Sequence, residues 1–167
     1  MKRLIPLAVV PAALAVIAAG CGGGGSGGGS ASAYRSAAKP AAANTASSAA
    51  VAVRTTQLGP TLVDSSGRTL YLFQKDKNAA STCNGACASV WPPLTTNGKP
   101  HAQAGISAAK LGTTKRQDGK TEVTYAGHPL YYYVSDTQPG QVSGQGLDQF
   151  GAIWNAVAPS GKGIAKG

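Results

Sequence analysis

The chain has 167 residues, three cysteines and a net charge of +9, with 15 Lys and Arg set against only 6 Asp and Glu. That length allows one ordinary domain once non-folding segments are set aside. The basic balance is spread singly over the chain and no DNA- or RNA-binding motif accompanies it, so nucleic acid is excluded as the expected partner.

The chain starts with Lys2 and Arg3, followed by an apolar run over residues 4–19 that is broken only by Pro6 and Pro11. A spanning helix needs about 20 apolar residues. A basic start, a short apolar stretch and small residues at its end instead read as an export signal over residues 1–20. An uncleaved helical anchor is the alternative. Residues 22–50 are nearly all Gly, Ser and Ala. They hold too little apolar surface to offset chain entropy, and they read as a disordered tether with an r.m.s. reach of roughly 30 Å. Gly24, Ser26 and Gly28 match the G-x-S-x-G formula by chance, since no strand precedes them and no helix follows.

Residues 51–167 then form one domain with a modest core. Residues 51–57 alternate as a strand, and Gly59-Pro60 breaks it. Residues 61–64 and 69–74 flank Ser65-Ser66-Gly67, a hairpin signal. Within the second of these strands Tyr71 and Phe73 share one face, and Leu70 and Leu72 share the other. Apolar groups on both faces predict a strand covered on both sides. Asp76 follows, where an aspartate caps a turn. Residues 85–90 predict one helical turn, ended by Pro92 and Pro93. Residues 111–116 and 120–126 flank Asp118-Gly119, a strong hairpin signal. A second aromatic strand is predicted over residues 130–134 and a last strand over residues 154–158.

The segment holding Gly67, Leu70, Tyr71, Phe73 and Asp76 returns 60 residues later as Gly127, Leu130, Tyr131, Tyr133 and Asp136. Trp91 and Trp154 follow the two aspartates at 15 and 18 residues. Two copies are too few for a solenoid. The expected fold is therefore mainly β: two pseudo-repeated hairpin units, about residues 58–94 and 118–160, sharing one compact sheet or barrel-like core with a short helical turn.

The paired Tyr71-x-Phe73-x-x-Asp76 and Tyr131-x-Tyr133-x-x-Asp136 segments resemble the Y-x-(F/W/Y)-x-x-D motif of bacterial secreted-repeat lipoproteins. The resemblance extends to Cys83-x-x-x-Cys87-Ala88 with Trp91-Pro92-Pro93-Leu94, to Gly127-x-Pro129-Leu130, and to Pro139-Gly140 and Gly144-Gln145-Gly146. It covers about residues 58–160. Ala18-Ala19-Gly20-Cys21 resembles a lipobox, with Ala18 where that pattern prefers Leu. This implies cleavage before Cys21, a diacylglycerol on its sulfur, and residence on the extracytoplasmic face of a bacterial membrane. The resemblance implies no catalytic residue.

Two readings of Cys83 and Cys87 stand side by side. An exported chain with an even pair left after Cys21 favours a disulfide. Helical i,i+4 Cβ atoms lie about 5–6 Å apart, against the 3.8 Å a disulfide wants, so the pair requires a tight turn at Asn84-Gly85. The alternative is a redox or metal-handling site, with His101 or His128 joining the thiols around a soft metal ion. Against it, no second cysteine pair completes a zinc set. Tyr71, Phe73, Tyr131 and Tyr133 read as sheet core, with Trp91, Pro92, Pro93 and Trp154 as structural anchors. Tyr132 falls on the opposite face, and an exposed tyrosine beside lysine would stack on a wall glycan. The carboxylates are not closely paired, which gives hydrolase chemistry no support. The expected function is thus a non-catalytic envelope module without a cofactor. Its partners are membrane lipid through Cys21 and an anionic envelope polymer or another envelope protein.

Overall fold

The computed structural model describes residues 47–165. Cys21, the export signal and most of the tether lie outside the described residues. The chain enters as β1 (Ala50–Thr56) and returns antiparallel as β2 (Gly59–Asp64), pairing Val51 with Asp64 and Thr56 with Gly59. The hairpin signal at Ser65-Ser66-Gly67 does form a turn, in which the Gly67 N–H donates to Asp64 O at 3.0 Å. The two arms then part after a single bridge between Val63 and Thr69. The next segment, β3 (Tyr71–Phe73), leaves to pair elsewhere.

After β3 come the cysteine loop and α1 (Ala86–Val90), which stops before Pro92-Pro93 as predicted. A two-residue strand, β4 (His101–Ala102), lies parallel to β1. The second repeat opens with β5 (Leu111–Lys115) and β6 (Thr121–Tyr125), an antiparallel hairpin closed by Asp118-Gly119. Then follow β7 (His128–Pro129), β8 (Asp148–Gln149) and β9 (Ala152–Ala156). Among the described residues these strands form three three-stranded sheets, in the orders β2-β1-β4, β3-β9-β8 and β5-β6-β7. None of them closes into a barrel.

Strand β3 is buried on both faces, as the sequence predicts. Leu70 and Leu72 pack with Val51, Leu62, Leu94, Val123, Tyr125, Leu130 and Val157. Tyr71 and Phe73 pack on the other side with Cys83, Cys87, Trp91, Tyr131, Trp154 and Ala156. Each large side chain so buried contributes about 1.5–3 kcal/mol of transfer free energy.

The two repeats exchange their ends about a local pseudo-twofold axis. At its centre the Tyr71 N–H donates to Tyr131 O at 2.8 Å and the Tyr131 N–H returns a bond to Tyr71 O at 2.9 Å. The tail of repeat 1 then enters repeat 2. The Leu94 N–H donates to Leu130 O, and Leu94 O accepts from the Val123 N–H, both at 2.8 Å. The tail of repeat 2 enters repeat 1 in the same way, with Val157 N–H to Leu70 O at 3.1 Å and Leu62 N–H to Val157 O at 2.8 Å. Strand β9 therefore pairs with β3 of the other repeat, setting Tyr71 opposite Ala156 and Phe73 opposite Trp154.

Two predicted strands are corrected. Residues 130–134 do not form one; only Tyr131 bridges, to Tyr71 and to Pro93. Its partner segment carries Pro92 and Pro93, which have no N–H to donate to a ladder. Carbonyl acceptance survives, as in Tyr132 N–H to Pro92 O at 2.8 Å. The last strand runs over residues 152–156 rather than 154–158. A turn at Phe150-Gly151, both with positive φ, folds β8 back onto it and moves its start earlier.

A candidate site at the exchanged motif

The doubled motif places its tyrosine in one repeat against its aspartate in the other. The Tyr71 hydroxyl donates to Asp136 Oδ2, and the Tyr131 hydroxyl donates to Asp76 Oδ2 at 2.6 Å. The second oxygen of each aspartate ties down the loop that follows it. Asp76 Oδ1 accepts from the Thr82 N–H at 2.8 Å and the Thr82 hydroxyl at 2.6 Å. Asp136 Oδ1 accepts from the Ser143 N–H at 2.9 Å. Both carboxylates are buried, so these bonds answer the requirement that a buried charge be hydrogen-bonded. The turn-cap role predicted for Asp76, which Asp136 shares, is thus half of what they do. Burial, then the hydrogen bond to Asp136 and the charge of that carboxylate, holds the Tyr71 hydroxyl far above the ordinary tyrosine value; for Tyr131 burial comes first, then the Glu122 charge, then the hydrogen bond to Asp76.

The four outer rings stack in a palindrome across the same axis, in the order Phe73, Trp154, Trp91, Tyr133. Successive centroids lie 4.1, 4.0 and 4.4 Å apart. Tyr131 meets Trp154 edge-on at 5.2 Å and Tyr71 meets Trp91 edge-on at 5.4 Å, an arrangement the ring quadrupoles favour. Gln149 holds both indoles: its Oε1 accepts from Trp91 Nε1 at 2.9 Å and its backbone O from Trp154 Nε1 at 3.1 Å. Gly144 is required by this packing, because a Cβ there would fall 2.7 Å from the Trp91 ring.

Cys83 and Cys87 form a disulfide, with their Cα atoms 5.2 Å apart. Cys83 lies ahead of α1, and the chain turns through Gly85 at φ 54°, a left-handed conformation that suits glycine. Both cysteines are buried. A sulfur held in a disulfide offers no thiolate. His101 is exposed on β4, and His128 is half-buried on β7. The soft-metal alternative built from Cys83, Cys87, His101 and His128 is therefore not the arrangement formed. Among the described residues no group of three His, Cys, Asp or Glu side chains is placed to hold a metal.

Repeat 2 grips this cysteine loop through a buried ion pair that the sequence reading passed over. Arg116 Nη1 lies 2.7 Å from Glu122 Oε2, with both side chains almost fully buried. The same guanidinium donates to Ser81 Oγ, to Cys83 O at 2.7 Å and to Asn84 Oδ1 at 3.3 Å. Ser81 Oγ in turn lies 2.7 Å from the Tyr131 hydroxyl, which joins the pair to Asp76. Arg116 Nε and Glu122 Oε1 have no hydrogen-bond partner, although Nε lies 3.6 Å from Asp118 Oδ1. Burial pushes the Glu122 carboxyl up to about 7 against the opposing pull of Arg116. Burial works against the Arg116 charge too, but Glu122 outweighs it and holds the guanidinium above its ordinary value. The available signal was phase: Glu122 alternates with Val123 in a strand covered on both sides.

Tyr132 corrects another expectation. It is half-buried rather than exposed: its hydroxyl donates to Asp64 Oδ2 at 3.0 Å and its ring carries Arg68 at 4.3 Å. Exposed aromatics for a wall glycan reduce, among the described residues, to Phe150. A groove of about 690 Å³ lies beside β3 and β9, lined by Leu72, Asp76, Lys77, His128, Ile153 and Lys162 among others.

These features define a class of protein: a duplicated β module whose halves are locked by exchanged strands and exchanged tyrosine–aspartate pairs. A family described as a secreted repeat of unknown function matches residues 52–95 and 112–158, together more than half of the chain. The chain belongs to this family, and the domain is an extracytoplasmic module. No curated protein and no solved structure matches the chain. Among the described residues no helix is long and apolar enough to cross a membrane.

Proposed function

We propose that the chain is a lipid-anchored envelope lipoprotein whose folded domain is non-catalytic and acts by binding or by structural support. Cys21 carries the lipid, the Gly/Ser/Ala-rich tether spaces the domain from the membrane, and the exchanged β module is the working part. The observation that carries the non-catalytic reading is the occupancy of the motif carboxylates. All four oxygens of Asp76 and Asp136 accept hydrogen bonds within the fold. A general acid or base must reach a substrate proton, and these groups are spent on joining the repeats. The partners that fit are membrane lipid at Cys21 and an anionic envelope polymer or a second envelope protein at the domain.

The anchor is tested by intact mass and membrane fractionation of the chain produced in a lipoprotein-processing bacterium. The expected product begins at Cys21, carries a diacylglycerol adduct and sediments with membranes, whereas Cys21→Ser stays soluble. A Cys21→Ser chain that sediments like the parent overturns the anchor. A metal or cofactor adduct on the native protein overturns the cofactor-free reading.

A further inference from the structure

The groove beside β3 and β9 is not used by the tyrosine–aspartate locks, and its lining has a definite chemical character. Its apolar part comes from the buried Leu72 and the half-buried Ile153 and Ile164. Its polar part holds two cations, the exposed Lys77 and Lys162, beside the half-buried His128. The one carboxylate in the lining is Asp76, and both its oxygens are engaged by Tyr131 and Thr82. Among the described residues the lining thus sets two exposed lysines against one buried carboxylate. At about 690 Å³ the groove lies within the 300–1,000 Å³ range of small-molecule sites, which combine apolar walls with a few polar groups.

The backbone around the groove narrows the choice of ligand. On one side the Ile164 N–H donates to Ala156 O at 2.8 Å, and the Gln74 N–H donates to Ile153 O at 3.1 Å. Strand β3 is paired to β9 on one edge and bridged to Tyr131 on the other. A peptide would find no free strand edge here to extend. A polyanion would engage the lysines and leave the apolar lining unused. A ligand with an alkyl chain and an anionic head satisfies both parts.

We infer that this groove binds a single-chain anionic amphiphile of the fatty-acid class, with its chain along Leu72, Ile153 and Ile164 and its head between Lys77 and Lys162. This goes beyond the binding role proposed above, adding a small-molecule site to a domain whose proposed partner is a polymer or a protein. Lys77 and Lys162 are exposed, so replacing them leaves the core intact.

The test is titration calorimetry of the full chain with laurate and dodecyltrimethylammonium below their micelle-forming concentrations, dodecanol below its solubility limit, and inorganic phosphate. Laurate is expected to bind saturably at one site, the neutral alcohol more weakly, and the cationic chain and phosphate not at all. The double variant Lys77→Glu/Lys162→Glu is expected to weaken laurate binding by about tenfold or more, with an unchanged melting temperature. Equal binding of laurate and dodecanol, unchanged laurate affinity in the double variant, or no laurate binding overturns the inference. Fractionation of Cys21→Ser is read separately, so a failed anchor and a failed groove are distinguishable.

Discussion

Replacing Tyr71 by Phe removes one hydroxyl and leaves the ring packing in place. The loss is the bond to Asp136 Oδ2, together with a weaker one from the Gly144 N–H at 3.3 Å. A hydrogen bond to a charged group is worth about 1.5–3 kcal/mol, and here the carboxylate left behind is buried. We take about 2 kcal/mol. The described domain spans residues 47–165, and unfolding entropy near 2.1 cal/mol/K per residue makes 1 kcal/mol equal to about 4 °C. Tyr71→Phe should therefore lower Tm by about 8 °C in a thermal melt. Asp136→Asn provides the second arm of a double-mutant cycle, and the pair should show a coupling of about 1–2 kcal/mol. Tyr131→Phe should behave like Tyr71→Phe, because it breaks the twin bond to Asp76. A Tyr71→Phe protein within about 0.5 kcal/mol of the parent, or a cycle with no coupling, would refute the claim that the motif locks one repeat to the other.

Glu122 predicts a pH dependence of stability. Its folded value near 7 lies above the ordinary 4.5, so the folded state holds this proton more tightly and stability falls as pH rises from about 4.5 to about 7. Urea melts at either end of that window should show the fall in the parent and its absence in Glu122→Gln. Converting Cys83 and Cys87 to Ser should cost about 2 kcal/mol by the chain-entropy model for a five-residue loop, while the intact mass of the parent should be two hydrogens lighter than its reduced form. Trp91 and Trp154, stacked at 4.0 Å, should give an exciton couplet in circular dichroism. Trp91→Phe and Trp154→Phe should each remove it, since it needs both indoles; a parent spectrum with no couplet would refute the stack.

Much of this arrangement is legible in the residues. The 60-residue return of Gly67, Leu70, Tyr71 and Asp76 marks the duplication, and the order Leu-Tyr-Leu-Phe at 70–73 states that β3 is covered on both faces. Asp118-Gly119 marks its hairpin, and Pro92-Pro93 marks the end of α1. The exchange between repeats is not legible. A tyrosine and an aspartate five residues apart suit a local turn as well as a distant partner, and nothing in one copy says which aspartate its tyrosine will meet. Pro92-Pro93 also acts at a distance, since it limits pairing at Tyr131, almost 40 residues later. Nothing in the sequence around Arg116 and Glu122 pairs them, since they sit on opposite arms of a hairpin. Only the loop bearing Cys83, which covers them, turns them into a buried pair.

The exchanged tails also set the order of events when the chain emerges with its N-terminus first. Repeat 1 can form its β1–β2 hairpin early, but the place beside Leu62 and Leu70 is filled by Val157, in the tail of repeat 2. Trp91 likewise waits for Trp154. Until the second repeat has arrived, the partly delivered domain thus lacks the residues that complete its core. A protein bound for the far side of a membrane gains from such lateness: its architecture postpones closure until both repeats are on the same side.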